Sequence, residues 1–477
     1  MSYIIVDIGT GNVRVAAASE DGKVLGVARE DIQYIKDALY PDSIYFDPTR
    51  LWEQVLRLAK QVLQKVPGAE VRAITATSQR EGIVLISKDG RSLIGLPNID
   101  HRGREWEDLI ADKSRVYQLT GRYPTSLFSA MKLVGIRERR PEIWKDTATF
   151  LSISNWIEYK LSGIARYEHS QASETLLYDV ARKEWSAELC AVFGLSGDLL
   201  SSIASSATVL GKIKQDVADT LSLNNTVQVI VGGGDTQLAI KSTRPAVNDM
   251  VIVSGTTTPI VKLTGMYTLD EQERTWTSRD IEADRFVFEA NAGVTGLNYQ
   301  RLKEIFYPNE GYDVIEKELA ENKHTFCMAS LGSLLADEEV SLTRGGFIFP
   351  APVSHLLTRS SFVWATILDI ACSIAKNYKI LAEVAGHTPD YIWGCGGGLQ
   401  SKVLRQLIAN LTGKKVHVRK EYQQSSAVGG ALICNEALQI RVQMDESIDV
   451  VAPQEEAYYA TLYAEWEKTR GYFRNMN

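Results

Sequence analysis

Cysteine is scarce in this 477-residue chain and is never clustered. Cys190, Cys327, Cys372, Cys395 and Cys434 are scattered, odd in number and never spaced C-x-x-C. That argues against a disulfide framework and against a zinc site. No run approaches the ~20 apolar residues that span a bilayer. Residues 3–7 enter an apolar run with no basic stretch ahead of it, so neither a signal peptide nor a membrane partner is expected. The expected location is cytoplasmic. Positive charge is in deficit too: 52 Lys and Arg against 59 Asp and Glu leave a net −7, which favours no nucleic acid. Neither a biased tract nor a short-period repeat is present.

What is present is an alternation of strands and helices, too long for one core, since single cores stop growing near ~250–300 residues. Residues 3–7, 13–19 and 24–29 read as a meander, with Gly9-Thr10-Gly11-Asn12 as the tip of its first turn. A helix follows, with Asp47 as cap, Pro48 at its first position, and Leu51, Val55, Leu58, Val62 and Val66 on one face. Pro67-Gly68 is read as its stop, and 71–77 as a buried strand. Further strands are read at 227–231, 250–254 and 391–393, with long helices over 363–382 and up to Leu411, the latter stopped by Gly413. This is an α/β pattern. The boundary is placed between two glycine-bearing strands, giving domains at 1–245 and 246–477.

Four segments put glycine and small hydroxylated residues directly after an apolar strand: 9–14, 232–236, 255–258 and 394–401. Glycine there lets backbone approach a ligand, and successive N–H groups form an anion-binding concavity. Two of the four sit beside a strand-end aspartate, Asp7 and Asp235. Such an aspartate is a cap or turn residue or, at the switch point of an α/β sheet, a metal-binding or catalytic carboxylate. The residues alone leave both open, and point only to a nucleotide-phosphate site.

Val6-Asp7-Ile8-Gly9-Thr10-Gly11-Asn12-Val13-Arg14 resembles the first phosphate motif of the FGGY carbohydrate kinases, within the actin-like ATPase fold. Gly255-Thr256-Thr257 is similar to their second. The run from Gly396-Gly397-Gly398-Leu399-Gln400-Ser401 to Ser426-Ala427-Val428-Gly429-Gly430-Ala431 is similar to their adenosine-binding segment. The resemblance implies two ribonuclease-H-like domains flanking a catalytic cleft, with ATP and Mg²⁺ as cofactors. It makes Asp235 the catalytic base and a metal residue together with Asp7. It assigns Thr10, Gly11, Asn12, Arg14, Gly255, Thr256, Thr257, Gly397, Gly398 and Ser401 to ATP. The substrate residues it implies are Arg80, Glu81, Asp100, Asp235 and Thr236.

Ser78-Gln79-Arg80-Glu81-Gly82-Ile83-Val84-Leu85, with Asn98-Ile99-Asp100-His101-Arg102, looks most like the autoinducer-2 kinases, which phosphorylate linear dihydroxypentanedione. Glycerol kinases share Gln-Arg-Glu but carry an aromatic residue where Leu127 stands. Pentulose kinases have Met-His-Gly in place of Arg80-Glu81-Gly82. Two departures from the family pattern stand out: Gly135 where a Trp is usual, and a shortened stretch over 350–366. His101 is read as a rim or structural residue, Trp106, Trp156, Trp185 and Trp364 as core, and Glu455-Glu456 as surface charge. Three readings stay in play: a kinase for the autoinducer-2 precursor, one for a ketopentose or other polyol, and a non-catalytic ATP sensor or actin-like protein. The expected partner is a small polyhydroxy substrate, with self-association as a homodimer left open.

Overall fold

The computed structural model describes residues 1–66, 71–321, 327–386, 388–454 and 456–476. Pro67, Gly68 and Glu455 lie outside the described residues. The chain divides into two compact units. Unit 1 comprises Met1–Ser242, Gly265–Val287 and Gln424–Asp445, and unit 2 comprises Thr243–Thr264, Phe288–Gln423 and Glu446–Asn477. A single cut at 245/246 leaves out two returns of the chain to unit 1.

Unit 1 is built on a six-stranded sheet of β1 (Ser2–Ile8), β2 (Asn12–Ser19), β3 (Val24–Asp31), β4 (Val71–Ser78), β5 (Val209–Lys212) and β6 (Gln228–Gly234). Its order is β5-β6-β4-β1-β2-β3; β1–β2 and β2–β3 are antiparallel, while β4 is parallel to both β1 and β6. Helix α1 (Pro48–Lys65) covers one face. Asp47 caps it by accepting from the Thr49 N–H, and Leu51, Val55, Leu58 and Val62 are buried. Burying side chains of that size contributes about 1.5–3 kcal/mol each.

Unit 2 repeats the plan. Six of the seven strands of its sheet are β7 (Met250–Val253), β8 (Thr257–Thr264), β9 (Phe286–Val294), β10 (Tyr391–Cys395), β11 (Lys415–Arg419) and β12 (Ile448–Val451). They run β9-β8-β7-β10-β11-β12; β7–β8 is antiparallel, and β10 is parallel to both β7 and β11. The buried helix Arg359–Ala385 extends past both bounds read from the sequence. Both units therefore have the ribonuclease-H-like α/β organisation that the sequence led us to expect. The glycine segments lie at the carboxyl ends of β1, β6, β7 and β10, where open α/β sheets present ligand sites. The strand read at 227–231 runs on through its glycines to Gly234. Trp156 is core as expected, whereas Trp185 sits in a two-residue strand and is only half-buried. Among the described residues no helix is long and apolar enough to cross a membrane.

Candidate active site

In unit 1 the two strand-end aspartates have different surroundings. Asp7 is buried on β1, opposite Arg14 on β2. Its Oδ2 accepts from the Arg14 guanidinium and from Ser426 Oγ at 2.6 Å. Arg14 also donates to Gln424 Oε1 at 3.1 Å and to Ser426 Oγ at 2.6 Å. The carboxylate and guanidinium are thus fixed by a helix from the far end of the sequence, Ser425–Ala437, which belongs to unit 1. That helix can approach because Gly429 and Gly430 lack side chains: added Cβ atoms would stand 1.9 Å from Leu238 O and 2.8 Å from Ile5 Cγ1.

Asp235 opens the helix Asp235–Thr243 at the end of β6. Its Oδ1 accepts from the Thr236 N–H at 2.7 Å and from Thr236 Oγ1 at 3.3 Å, and no described residue bonds Oδ2. Burial, and then the charge of Asp7, push its pKa up to about 6 against the pull of Arg80 and Thr236. Thr10 exchanges hydrogen bonds with Asn98, and its carbonyl accepts from Tyr34 at 2.7 Å, so the loop 9–12 is held from outside while Gly11 stays exposed.

Arg80 and Glu81 follow β4 and are both buried. Glu81 has φ 62°, a left-handed conformation that costs a non-glycine residue about 1–3 kcal/mol and concentrates at functional sites. Burial raises its pKa to about 8, reinforced by Glu174 and opposed by Arg80, Arg122 and Lys132. Arg80 Nη1 lies 3.7 Å from Glu174 Oε1, which Arg122 also engages, and Arg122 stacks 4.8 Å over Trp276. Lys132 is fully buried, donates to the carbonyls of Leu127 and Asn98, and is pushed down to about 8 by burial. Arg122, Lys132 and Glu174 surround Arg80 and Glu81 and are not among the site residues read from the sequence. Lys132 lies in a segment already singled out, but nothing local marks Arg122 and Glu174, 52 residues apart.

Asp100 lies deep in the fold. It is 0% exposed, with Oδ2 accepting from Arg102 Nε at 2.8 Å and Oδ1 from the Ile44 N–H at 3.1 Å. Each oxygen thus has one partner within the fold. The same cluster accounts for Gly135: a Cβ there would stand 2.7 Å from the Arg102 carbonyl oxygen and Cγ. Arg102, paired with Asp100 and stacked on Tyr40, fills the space beside Gly135. His101 is half-buried with Nδ1 3.1 Å from Ser126 Oγ, and burial lowers its pKa to about 4.

In unit 2, Gly255, Thr256 and Thr257 are exposed in the β7–β8 turn, which Thr295 and Leu297 brace through the Thr256 carbonyl. Gly396 takes φ 96°, and added Cβ atoms at Gly396 and Gly398 would stand 2.3 Å from Ser254 O and 2.2 Å from Ser254 Oγ. Only glycine lets this segment lie against Ser254, with Gly397 left exposed. Ser401 Oγ caps the helix Lys402–Thr412 by accepting from the Leu404 N–H at 3.1 Å, so its hydroxyl serves that helix. A cavity of about 300 Å³ in this unit is lined by Asn298, Arg301, Leu302, Leu331, Thr343 and Arg344 among others. No motif had drawn attention to it.

Comparison with known proteins gives the family and the fold. The N-terminal domain of the FGGY family of carbohydrate kinases matches residues 2–241, and its C-terminal domain matches residues 341–438. A Bacillus subtilis (strain 168) protein described as "putative sugar kinase YoaC" is 50% identical over 99% of this chain and 97% of its own. The autoinducer-2 kinase of Salmonella typhimurium is 27% identical over 90% of this chain and 84% of its own. A ligand-bound xylulose kinase from Lactobacillus acidophilus has the same fold, with TM-score 0.85 at 18% identity, covering 99% of this chain and 98% of that one. The chain belongs to the FGGY family of carbohydrate kinases. It is an enzyme, a phosphotransferase with an alcohol group as acceptor, and membership of the family implies ATP as donor. The sensor and filament readings fall with that.

Proposed function

We propose that Asp235 is the general base in phosphoryl transfer from ATP to a hydroxyl of a small polyhydroxy carbonyl compound, dihydroxypentanedione. The observation that carries the base assignment is the divided state of its carboxylate. Oδ1 is committed to Thr236, while Oδ2 has no described partner. A pKa of about 6 leaves the group ionised near neutral pH, yet a better proton acceptor than an ordinary aspartate. As the acceptor oxygen bonds the γ-phosphorus and the bond from phosphorus to the ADP oxygen breaks, the hydroxyl proton passes to Oδ2. A loose transition state asks the protein for little beyond positioning and charge.

Arg80 and Glu81 supply a donor fork and an acceptor suited to a vicinal diol, with Thr236 beside the base. Within unit 2, Gly255, Thr256, Thr257, Gly397 and Gly398 would hold the nucleotide; within unit 1, residues 10–12 would offer backbone N–H groups to a phosphate. The cradle at Ser254, which a Cβ would fill, fits backbone lying close to a ligand. Arg14 and Ser401 would act through the residues they hold rather than on the nucleotide. Among the described residues no cluster of three or more metal-ligating side chains occurs. Mg²⁺ does not ask for one, being held by one or two carboxylates plus phosphates. Asp7 keeps Oδ1 without a described partner and would serve as such a carboxylate, while Asp235 would act on the ion only through water, its Oδ2 being kept for the proton. The bound ion would offset charge on the transferring group.

The resemblance of the Arg80-Glu81 segment to the autoinducer-2 kinases, and the 27% identity to one of them over most of the chain, support the acceptor. The test is ADP release with Mg-ATP against dihydroxypentanedione, xylulose, ribulose, rhamnulose, gluconate, glycerol and erythritol. Dihydroxypentanedione is expected to give the highest kcat/KM. A higher value with another compound overturns the acceptor and leaves the kinase standing.

A further inference from the structure

The end of β6 is irregular. Against β4, Ile230 faces Thr75 but Gly233 faces Thr77, so β6 carries one residue more than its partner over this stretch. Such a bulge takes a backbone group out of the ladder and re-aims the chain. The displaced N–H groups need other acceptors, because a buried amide left without one costs about 1–3 kcal/mol. Two buried glutamates serve them. Glu158 Oε1 accepts from the Gly232 N–H at 2.8 Å, and its Oε2 accepts from Asn155 Nδ2 at 2.9 Å. Glu168 works through a relay: Ser170 Oγ donates to Glu168 Oε2 and accepts from the Gly234 N–H at 3.0 Å. Glu168 Oε2 also takes the N–H groups of Ser170 and Gln171 at 2.8 and 3.1 Å. Between the two fixed amides, Gly233 O accepts from Thr77 Oγ1 at 2.8 Å. Gly233 lies over this cluster, where a Cβ would meet Ile281 at 2.7 Å and Ser170 Oγ at 3.2 Å. Asn155 joins the two arms, since its Oδ1 accepts from the Glu168 N–H at 3.0 Å.

We infer that Glu158 and the Glu168–Ser170 pair are positioning residues, which set the direction of Asp235 by clamping the bulged backbone at Gly232 and Gly234. The inference rests on the reading of Asp235 as the base. Neither glutamate reaches the reacting atoms; each fixes an amide one to three residues before the aspartate. Burying two carboxylates on one glycine turn has an energetic cost that a simple strand end would avoid. What the clamp secures is one fixed approach of the Asp235 carboxylate to the acceptor hydroxyl, and misplacement on the 1 Å scale costs about a hundredfold in rate.

The test compares Glu158→Met, Glu158→Gln, Ser170→Ala, Asp235→Asn and the double variant Ser170→Ala/Asp235→Asn in the full-length enzyme. Steady-state kinetics are measured with Mg-ATP and the acceptor from the panel above that the wild type uses best. Glu158→Met and Ser170→Ala are expected to lower kcat roughly 10–100-fold, with both KM values within about twofold of wild type. Glu158→Gln, which keeps an acceptor oxygen for Gly232, should restore most of the kcat lost in Glu158→Met. Ser170→Ala should lower kcat no further once Asp235 is Asn. Wild-type kcat in Ser170→Ala, or an equal loss in the Asp235→Asn background, overturns the clamp. Should Glu158→Met fail to fold, Ser170→Ala decides alone. Wild-type turnover by Asp235→Asn overturns instead the base reading beneath it, as does a wild type that uses no acceptor in the panel.

Discussion

Ser426 Oγ donates to Asp7 Oδ2 at 2.6 Å, joining residues 419 positions apart in the chain. The same hydroxyl accepts from Arg14, so one serine fixes both charged groups of the first phosphate motif. Removing it leaves Asp7 held by Arg14 alone. A hydrogen bond to a charged group contributes about 1.5–3 kcal/mol. Ser426→Ala is therefore expected to lower stability by up to that amount and to raise KM for Mg-ATP more than KM for the acceptor. Equal effects on the two KM values would show that Ser426 does not act through Asp7.

Asp235→Asn keeps the side-chain shape and the oxygen that faces Thr236, and removes the proton acceptor. General base catalysis contributes typically ~10²–10⁴-fold, so kcat should fall within that range while KM for ATP stays near the wild-type value. Single-turnover phosphorylation and nucleotide binding measured on the same preparation separate the two effects.

Arg80 shares Glu174 with Arg122, so replacing it leaves that buried carboxylate still paired. Arg80→Ala is expected to fold and to raise KM for the acceptor roughly tenfold or more, with KM for ATP little changed. An unchanged acceptor KM would remove Arg80 from the substrate site.

The sequence revealed most of the fold, but not the long-range partners of the candidate site, and the division has a physical cause. Strand-end glycines, the Asp47 cap and the apolar stripe of α1 are local signals, legible within a few residues. The bulge in β6 is not, because it exists only as a mismatch in register with β4, over 150 residues earlier in the chain. Glu158, Glu168 and Glu174 likewise become meaningful only when folding buries them beside Gly232, Ser170 and Arg122. Asp100 is the converse: its place in a motif is visible in the sequence, but its bonds to Arg102 and Ile44 are not. The return of 424–445 to unit 1 follows from packing of Gly429 and Gly430, which reads in sequence only as a pair of small residues.

Burial raises the pKa of Glu158 to about 8 and that of Glu168 to about 7, from an ordinary value of 4.5. Between those limits the folded protein binds more protons than the unfolded chain, so stability falls as pH rises. Their contribution is fully present below pH ~4.5 and lost as pH climbs through the folded values. Glu158→Gln removes one such group. Its melting temperature relative to wild type should therefore rise steadily between pH ~4.5 and pH ~8, the window set by the unfolded and folded values. A difference independent of pH would mean that Glu158 titrates alike in the folded and unfolded states.

Gly135→Ala sets two effects against each other at one helical position. Alanine is the better helix former by about 0.8–1 kcal/mol, which favours the substitution. Against it, the new Cβ would stand 2.7 Å from Arg102 O and Cγ and 2.9 Å from Arg102 C. Two of those three atoms are backbone. The side chain beyond them is pinned by Asp100, Asp37 and the Tyr40 ring, so it has no direction in which to yield. Overpacking of a closed core costs about 1–3 kcal/mol, more than the helix gain, so Gly135→Ala is expected to be destabilising overall. Thermal denaturation of the single variant checks the sign. Adding Arg102→Ala relieves only the contact with Cγ, keeps the two backbone contacts and leaves Asp100 buried with only the Ile44 N–H, so the double variant should be less stable than either single change. A double variant more stable than Gly135→Ala alone would show that Arg102 fills space there without being needed as the partner of Asp100.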